Sequence, residues 1–119
     1  MRIHHLALRV ADPERSAAFY QDVLGLPERR RTVEGGALRA VWLGADGAIL
    51  MLERSLRGQG PAEGSGHVLA FAVDDLAAWE ARLSAAGLPV DDRTPSTLYV
   101  RDPDCHRVGL TVYRDDTQA

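Results

Sequence analysis

Two halves of this sequence resemble each other, and this internal repeat restricts the possible folds more than any other feature. A displacement of 62 residues aligns Gly25-Leu26-Pro27 with Gly87-Leu88-Pro89, and a displacement of 63 aligns residues nearer the N-terminus. The identities at 63 are His4 with His67, Leu6 with Leu69, Ala7 with Ala70, Val10 with Val73, Asp12 with Asp75 and Ala18 with Ala81. The first half therefore carries one extra residue in its helical region. Because a repeat of this size is one supersecondary unit, we predict two similar modules.

The residue pattern within each half predicts a strand, a helix and then three strands. Apolar, β-prone runs open the two halves at residues 3–10 and 68–73. Each run is followed by an acidic residue that can cap a helix, Asp12 or Asp75, and then by apolar residues at helical spacing. The further runs that predict strands are residues 30–34, 38–43, 48–53, 90–92, 97–101 and 107–113.

The module boundaries follow from the segment between the halves. Residues 54–66 contain four glycines and one proline, which is typical of a flexible connection. We therefore predict modules at residues 1–53 and 67–119 within a single domain of 119 residues. A chain of this length can bury enough apolar surface to fold without disulfides or a structural metal.

Charge and cysteine content exclude several classes of function. The formal net charge is −3, and the one basic run, Arg29-Arg30-Arg31, is expected to form a solvated strand edge. Nucleic-acid and membrane partners are not expected, because they require clustered positive charge. The single cysteine, Cys105, excludes an internal disulfide and every cysteine-based zinc pattern. No apolar stretch is long enough for a membrane span or a signal peptide, so we expect a cytoplasmic protein.

Four segments of the sequence occur in the order typical of one protein family. They are HLALRV at 5–10, FYQDVLGL at 19–26, FAVDDL at 71–76 and RDPDCHR at 101–107. Together with the repeat, they resemble the vicinal oxygen chelate superfamily, which includes glyoxalase I, extradiol dioxygenases and bleomycin-resistance proteins. The resemblance implies an α+β, glyoxalase-like fold in which two βαβββ modules form a curved mixed sheet with a cleft. It also implies a homodimer that binds a small organic ligand.

The resemblance further implies four positions for metal ligands, and one of them holds a residue suited to a divalent ion. These positions are His5, Met51, Val68 and Gly109. Imidazole binds zinc, manganese, nickel or iron ions, whereas a thioether is a poor ligand for hard ions. Valine and glycine have no side-chain donor. Since metal sites take three or more protein ligands, we expect no metal cofactor.

A second ligand set leaves an alternative function open. It consists of His5, His67 and Glu53, and it requires a bulge, because consecutive strand residues point to opposite faces. With such a bulge the protein would be a metal-dependent lyase, isomerase, dioxygenase or thiol transferase that uses Zn, Mn, Ni or Fe. The leading hypothesis is a protein that binds or sequesters an organic ligand without catalytic metal, as the bleomycin-resistance proteins that it resembles do.

Seven residues are candidates for the ligand pocket, and none is identified as catalytic. The candidates are His5, Trp42, Met51, Val68, Tyr99, Gly109 and Thr111. Strand alternation fixes which of them share a face, but not which face points inward. Cys105 lies in a predicted turn, where a positive φ is expected, and only His106 beside it could act as a base. The sequence therefore leaves enzymatic activity undecided.

Overall fold

A computed structural model describes residues 1–56 and 67–114, and the chain divides into two compact units, residues 1–60 and 61–119. Unit 1 contains strands β1 (His5–Arg9), β2 (Glu28–Glu34), β3 (Ala37–Ala45) and β4 (Ala48–Glu53), and helix α1 (Pro13–Ala17). Unit 2 contains strands β5 (Leu69–Ala72), β6 (Asp92–Arg93), β7 (Thr97–Arg101) and β8 (Arg107–Thr111), and helix α2 (Leu76–Ala85). Residues 57–66 of the predicted linker lie outside the described residues.

Both units have the same sheet topology. The strand order is β1-β4-β3-β2 in unit 1 and β5-β8-β7-β6 in unit 2. In each sheet the first strand of the unit runs parallel to the last, and the other neighbours are antiparallel. The predicted α+β fold of two βαβββ modules is therefore confirmed.

One face of the unit 1 sheet carries the core of that unit. Helix α1 packs against β3 and β4. Val41, Leu43, Leu50 and Leu52 alternate onto that face and are at most 2% exposed. Burial of each such side chain contributes roughly 1.5–3 kcal/mol relative to an exposed position. We call the opposite side of this sheet the open face of unit 1.

Unit 2 repeats this arrangement with helix α2. The Asp75 carboxylate accepts the Ala78 backbone N–H at 3.1 Å, which satisfies one free donor at the start of the helix. Leu83 of α2 is fully buried, and α2 packs against β7 and β8. The strand side chains beneath it are Leu98, Val100, Val108 and Leu110, each at most 2% exposed. The opposite side of this sheet is the open face of unit 2.

The extra residue of the first half is accommodated in a π-helical turn. Ala18–Val23 is π-helical and directly follows α1. The Leu24 N–H donates to the Phe19 carbonyl at 3.2 Å, five residues back. One inserted residue widens a helical turn in this way. The turn buries Phe19 and Tyr20, whose rings pack edge to face with centroids 4.9 Å apart, so both are core residues.

Strand β6 is shorter than the strand predicted at residues 90–92 and shifted towards the C-terminus. The Asp91 N–H donates to the Tyr99 carbonyl at 2.7 Å, and the Thr94 N–H donates to the Thr97 carbonyl at 2.9 Å. Pro95 follows and has no N–H to donate, so the pairing ends there. The predicted strand at 107–113 ends earlier, at Thr111.

The turn between β7 and β8 holds a strained cysteine. Cys105 is exposed and has a φ of +67°, as the sequence predicted, a conformation that glycine adopts more readily. A side chain at positive φ costs roughly 1–2 kcal/mol. We therefore expect Cys105→Gly to raise the free energy of unfolding by about 1 kcal/mol in urea denaturation. Cys105→Ala keeps the Cβ and should give no such gain; equal stabilities of the two variants would contradict the strain.

Candidate functional site

The open face of unit 1 brings together three of the predicted pocket residues. Trp42 on β3 is the cross-strand partner of Met51 on β4. Met51 is in turn the partner of Ala7 on β1, and His5 lies two residues before Ala7 on the same face. His5 is exposed, and Trp42 and Met51 are half-buried. Neighbouring side chains of three strands thus form one continuous surface.

Trp42 is held in place from both sides on this face. Its indole Nε1–H donates to Glu53 Oε2 at 2.6 Å. The Arg30 guanidinium lies over its ring, with Arg30 Cζ 5.3 Å from the ring centroid. Such cation–π contacts contribute about 0.5–1 kcal/mol at exposed sites. The Trp42 ring is therefore a fixed aromatic surface with a guanidinium beside it.

A β-bulge in β2 places a second arginine on the open face. Glu28 pairs with Leu43 and Arg30 pairs with Trp42, so Arg29 is an extra residue between two successive pairs. The Arg29 guanidinium lies against Gly44, on the side where a Cβ would project. Arg31 points to the opposite side, where it donates to Glu14 of α1 and to Glu28 at 2.8 and 2.9 Å. These hydrogen bonds raise the pKa of Arg31 above its ordinary value.

The open face of unit 2 carries the other four predicted pocket residues. Tyr99 on β7 pairs with Gly109 on β8. Thr111 lies two residues beyond Gly109, and Val68 precedes Ala70, which is the partner of Gly109 on β5. By alternation, all four point to the side away from α2. Val68 is 41% exposed, Tyr99 and Thr111 are half-buried, and Gly109 is buried.

The Tyr99 ring covers Gly109. A Cβ at position 109 would lie 3.3 Å from Tyr99 Cε1 and 3.4 Å from the Ala70 Cβ. The Arg107 guanidinium stacks on the Tyr99 ring at 3.9 Å from its centroid, and Arg107 also pairs with Asp92 at 2.8 Å. A larger side chain at position 109 would therefore have to displace a ring that is held by an arginine.

A group of hydroxyls adjoins the Tyr99 ring. Thr97 Oγ1 donates to Thr111 Oγ1 at 2.8 Å, and Thr111 Oγ1 donates to the Ser96 carbonyl at 3.2 Å. Thr97 is 7% exposed and Thr111 is half-buried. Thr111 Oγ1 also accepts the Tyr113 N–H at 3.0 Å, so both of its lone pairs are used, and Thr97 Oγ1 is the hydroxyl of this pair that can still accept a hydrogen bond from a ligand.

The members of the alternative metal set each have another side-chain contact within their own unit. Glu53 accepts the Trp42 N–H, and His5 Nδ1 lies 2.9 Å from His4 Nδ1. His67 precedes β5 and lies against His106, with its Nε2 3.4 Å from His106 Nδ1. Among residues 1–56 and 67–114, no three His, Cys, Asp or Glu side chains are grouped so that they could bind one metal ion.

The four positions that the resemblance assigns to metal ligands do not fit a divalent ion either. His5 and Met51 share the open face of unit 1, and Val68 and Gly109 share that of unit 2. An imidazole and a thioether are the only side-chain donors among these four residues. At the fourth position the Tyr99 ring lies where a carboxylate side chain would extend. The donor set is therefore incompatible with the metal centre of a metal-dependent relative.

Unit 2 also has a groove on its helical side, away from these residues. The groove has a volume of about 440 Å³ and is lined by Glu80, Ser84, Gly87, Leu88, Pro89, Val90 and Arg93. Arg93 donates to both Glu80 carboxylate oxygens at 3.1 Å. This groove contains none of the predicted pocket residues.

The Glu80–Arg93 pair should make stability depend weakly on acid pH. The Arg93 guanidinium holds the pKa of Glu80 below its ordinary value. The pair therefore stabilises the fold at pH values above the pKa of an unpaired Glu, and this stabilisation is lost as the pH falls through the lowered pKa. In urea unfolding, Glu80→Gln should have a slightly lower free energy of unfolding than the wild type at pH 7, and this difference should disappear in acid. A difference that is independent of pH would contradict this assignment.

Comparison with known proteins places these features in a family. Each unit presents an open sheet face that combines an aromatic ring, an arginine and polar groups. The sequence matches the family described as Glyoxalase/Bleomycin resistance protein/Dioxygenase superfamily over residues 2–110. The chain belongs to this superfamily.

Individual relatives agree with this assignment. The uncharacterised protein YwbC of Bacillus subtilis is 31% identical over 114 residues, covering 87% of this chain and 90% of YwbC. The crystal structure of lactoylglutathione lyase from Agrobacterium tumefaciens is 28% identical, with a TM-score of 0.69 and 92% of each chain covered. The fosfomycin resistance protein FosX from Mesorhizobium loti shares the fold at 20% identity, with a TM-score of 0.72, covering 96% of this chain and 91% of FosX.

Several residues of the open faces were not predicted from the sequence. Arg29 and Arg30 were assigned to a solvated strand edge, and β2 is indeed an edge strand. The bulge that turns both side chains onto one face has no clear sequence signal. Thr97 could have been found, because it alternates with the predicted pocket residue Tyr99 along β7.

No helix in the described ranges is both long and apolar enough to span a membrane.

Proposed function

We propose that this protein binds or sequesters a small organic molecule on the open faces of its sheets, and that this binding uses no metal ion. The observation that carries the proposal is the donor set at the family's ligand positions. Of His5, Met51, Val68 and Gly109, only His5 is suited to a divalent ion, and the Tyr99 ring covers the last position.

The composition of the open faces supports a binding role. Trp42 and Met51 offer apolar surface in unit 1, and the Tyr99 ring does so in unit 2. The Thr97–Thr111 hydroxyl pair supplies a directional polar group beside Tyr99. Small-molecule sites combine such apolar walls with a few fixed polar groups, so these faces suit an organic ligand with an aromatic or apolar body.

The test is a thermal-unfolding screen of the full chain against organic compounds in buffer that contains a chelator. A compound at a hundredfold excess over its Kd should stabilise the protein by about 2.7 kcal/mol. Trp42→Ala should weaken the binding of those compounds that contact unit 1. Trp79→Phe on α2 is the matched control and should leave their binding unchanged. Stabilisation that occurs only after metal is added, or no stabilisation by any compound, would overturn the proposal.

The proposal includes a homodimer in the cytoplasm. The dimer is supported by exposed apolar surface at two sheet edges. Leu6 of β1 is 40% exposed, and Val68 before β5 is 41% exposed. Apolar sheet edges of this kind favour association. Sedimentation equilibrium should give twice the mass of the chain, and the mass of a single chain at micromolar concentration would contradict a stable dimer.

A further inference from the structure

We infer that the open face of unit 1 selects organic anions, with Arg29 and Arg30 binding a carboxylate or phosphonate group of the ligand. This inference rests on the proposed function and adds the chemical class of the ligand to it. It is carried by a bulge that turns two consecutive arginines onto one face, and by the absence of carboxylate partners for either of them in the described chain.

The bulge is the first observation. In a regular strand Arg29 and Arg30 would point to opposite sides. Here Arg30 lies over Trp42 and Arg29 lies over Gly44, and both of these β3 residues are on the open face. Bulges redirect side chains in this way next to binding sites. Two guanidinium groups are thus placed above β3 positions roughly 7 Å apart.

The lack of carboxylate partners is the second observation. Other arginines of the described chain form ion pairs with acidic residues, among them Arg31, Arg39, Arg93, Arg101, Arg107 and Arg114. Within residues 1–56 and 67–114, neither Arg29 nor Arg30 has such a pair. Glu28, which precedes Arg29 in the chain, pairs with Arg31 instead, and Glu53 on the open face accepts the Trp42 N–H without forming an ion pair with Arg30.

Glycine at position 44 makes the arrangement possible. A Cβ there would lie 2.5 Å from Arg29 Nε and 3.0 Å from Arg29 Nη2. The Arg29 guanidinium therefore occupies space that any larger residue would fill. Arg30 is positioned by Trp42, which Glu53 fixes in turn. Both cationic groups are thus supported by the sheet beneath them.

Charge and geometry favour an anion as the ligand. Two like charges on one face repel each other, and an anion between them relieves that repulsion. Guanidinium groups present paired N–H donors that match the two oxygens of a carboxylate or phosphonate. Hydrogen bonds between two charged groups are stronger than those between neutral groups. The two guanidinium groups outnumber the Glu53 carboxylate, which keeps its charge on the same face while it accepts the Trp42 N–H, so the local charge is positive although the whole chain carries −3.

The experiment uses three probes of nearly identical shape: benzoate, benzamide and benzamidine. Each is titrated into the full ¹⁵N-labelled chain and followed by amide chemical shifts. Benzoate should bind about tenfold more tightly than benzamide, and benzamidine should bind most weakly. The largest amide chemical-shift changes caused by benzoate should fall on residues 28–31 and 41–45. Arg29→Gln/Arg30→Gln should remove the preference for benzoate over benzamide, and Arg54→Gln/Arg82→Gln, which removes two other exposed positive charges, should retain it.

Gly44→Ala tests the positioning of Arg29 separately. Its φ is not in the left-handed region, so alanine is tolerated there, while the new Cβ displaces the guanidinium. The variant should weaken benzoate binding severalfold and leave benzamide binding unchanged. An amide spectrum like that of the wild type shows that it has folded.

The outcomes separate this inference from the proposed function. If benzamide or benzamidine binds as tightly as benzoate, or if benzoate binding survives loss of both arginines, the anion site is wrong while ligand binding stands. If none of the three probes binds at millimolar concentration, the anion site is overturned as well. If the compound screen in the presence of chelator also gives no ligand, the proposed function fails with it.

Discussion

Replacing Leu52 with alanine should lower the free energy of unfolding by about 3–5 kcal/mol. Leu52 is fully buried on β4, opposite Val41 of β3 and on the face that α1 covers. The substitution removes the isopropyl group of the leucine and leaves a cavity that the surrounding sheet cannot close. Since domains of this size are stable by about 5–15 kcal/mol, a loss of this size is a large share of the total.

The neighbouring residue provides the matched control for this prediction. Met51 has a side chain of similar volume but lies half-buried on the open face. Met51→Ala should cost only about 1 kcal/mol. Urea unfolding followed by circular dichroism measures both variants. Equal losses would mean that the core face and the open face of unit 1 are assigned wrongly.

Asp102→Ala should be the second strongly destabilising variant, with a loss of about 3 kcal/mol. Asp102 is 4% exposed at the end of β7. Its Oδ1 accepts the backbone N–H groups of Asp104 at 2.9 Å and His106 at 2.8 Å. Without the carboxylate, both donors in this partly buried turn lose their partner, and the turn that orients β8 is weakened.

Two further variants separate the hydrogen bonds of Asp102 from its charge. Asp102→Asn keeps an acceptor oxygen and should lose about 1 kcal/mol. Asp74→Ala removes an exposed carboxylate that pairs with Arg114 at 3.3 Å and should change stability by less than about 1 kcal/mol. Urea denaturation gives all three values. If Asp102→Ala were as mild as Asp74→Ala, the turn would not depend on this side chain.

The order of helices and strands could be predicted because the same residue pattern occurs in both halves of the sequence. The repeat fixed the strand and helix order of both units, and the change of displacement from 63 to 62 located the extra residue that forms the π-helical turn. Strand limits were less accurate. They depend on single hydrogen bonds, such as those around β6, rather than on apolar periodicity.

The candidate site could be predicted only in part. The sequence proposed Trp42, Met51, Tyr99 and Gly109 as separate pocket candidates, and it is the strand register of the structure that pairs Trp42 with Met51 and Tyr99 with Gly109. Strand alternation does not determine which side of each sheet is open. That side is the one opposite the packed helix, which only the structure shows. The bulge at Arg29 and the contact of His67 with His106 depend on local backbone geometry and on contacts between residues distant in sequence. A pattern of residue types does not encode either feature.

The metal content of the purified protein shows whether this chain holds a divalent ion at the family's ligand positions. The protein should be prepared without a histidine tag, supplied with zinc, manganese, nickel and iron(II) in turn, desalted and subjected to elemental analysis. With one imidazole and one thioether as the only donors at the family's ligand positions, we expect far less than one ion per chain, and the same result for His5→Ala. Close to one ion per chain that is lost in His5→Ala would contradict the metal-free account.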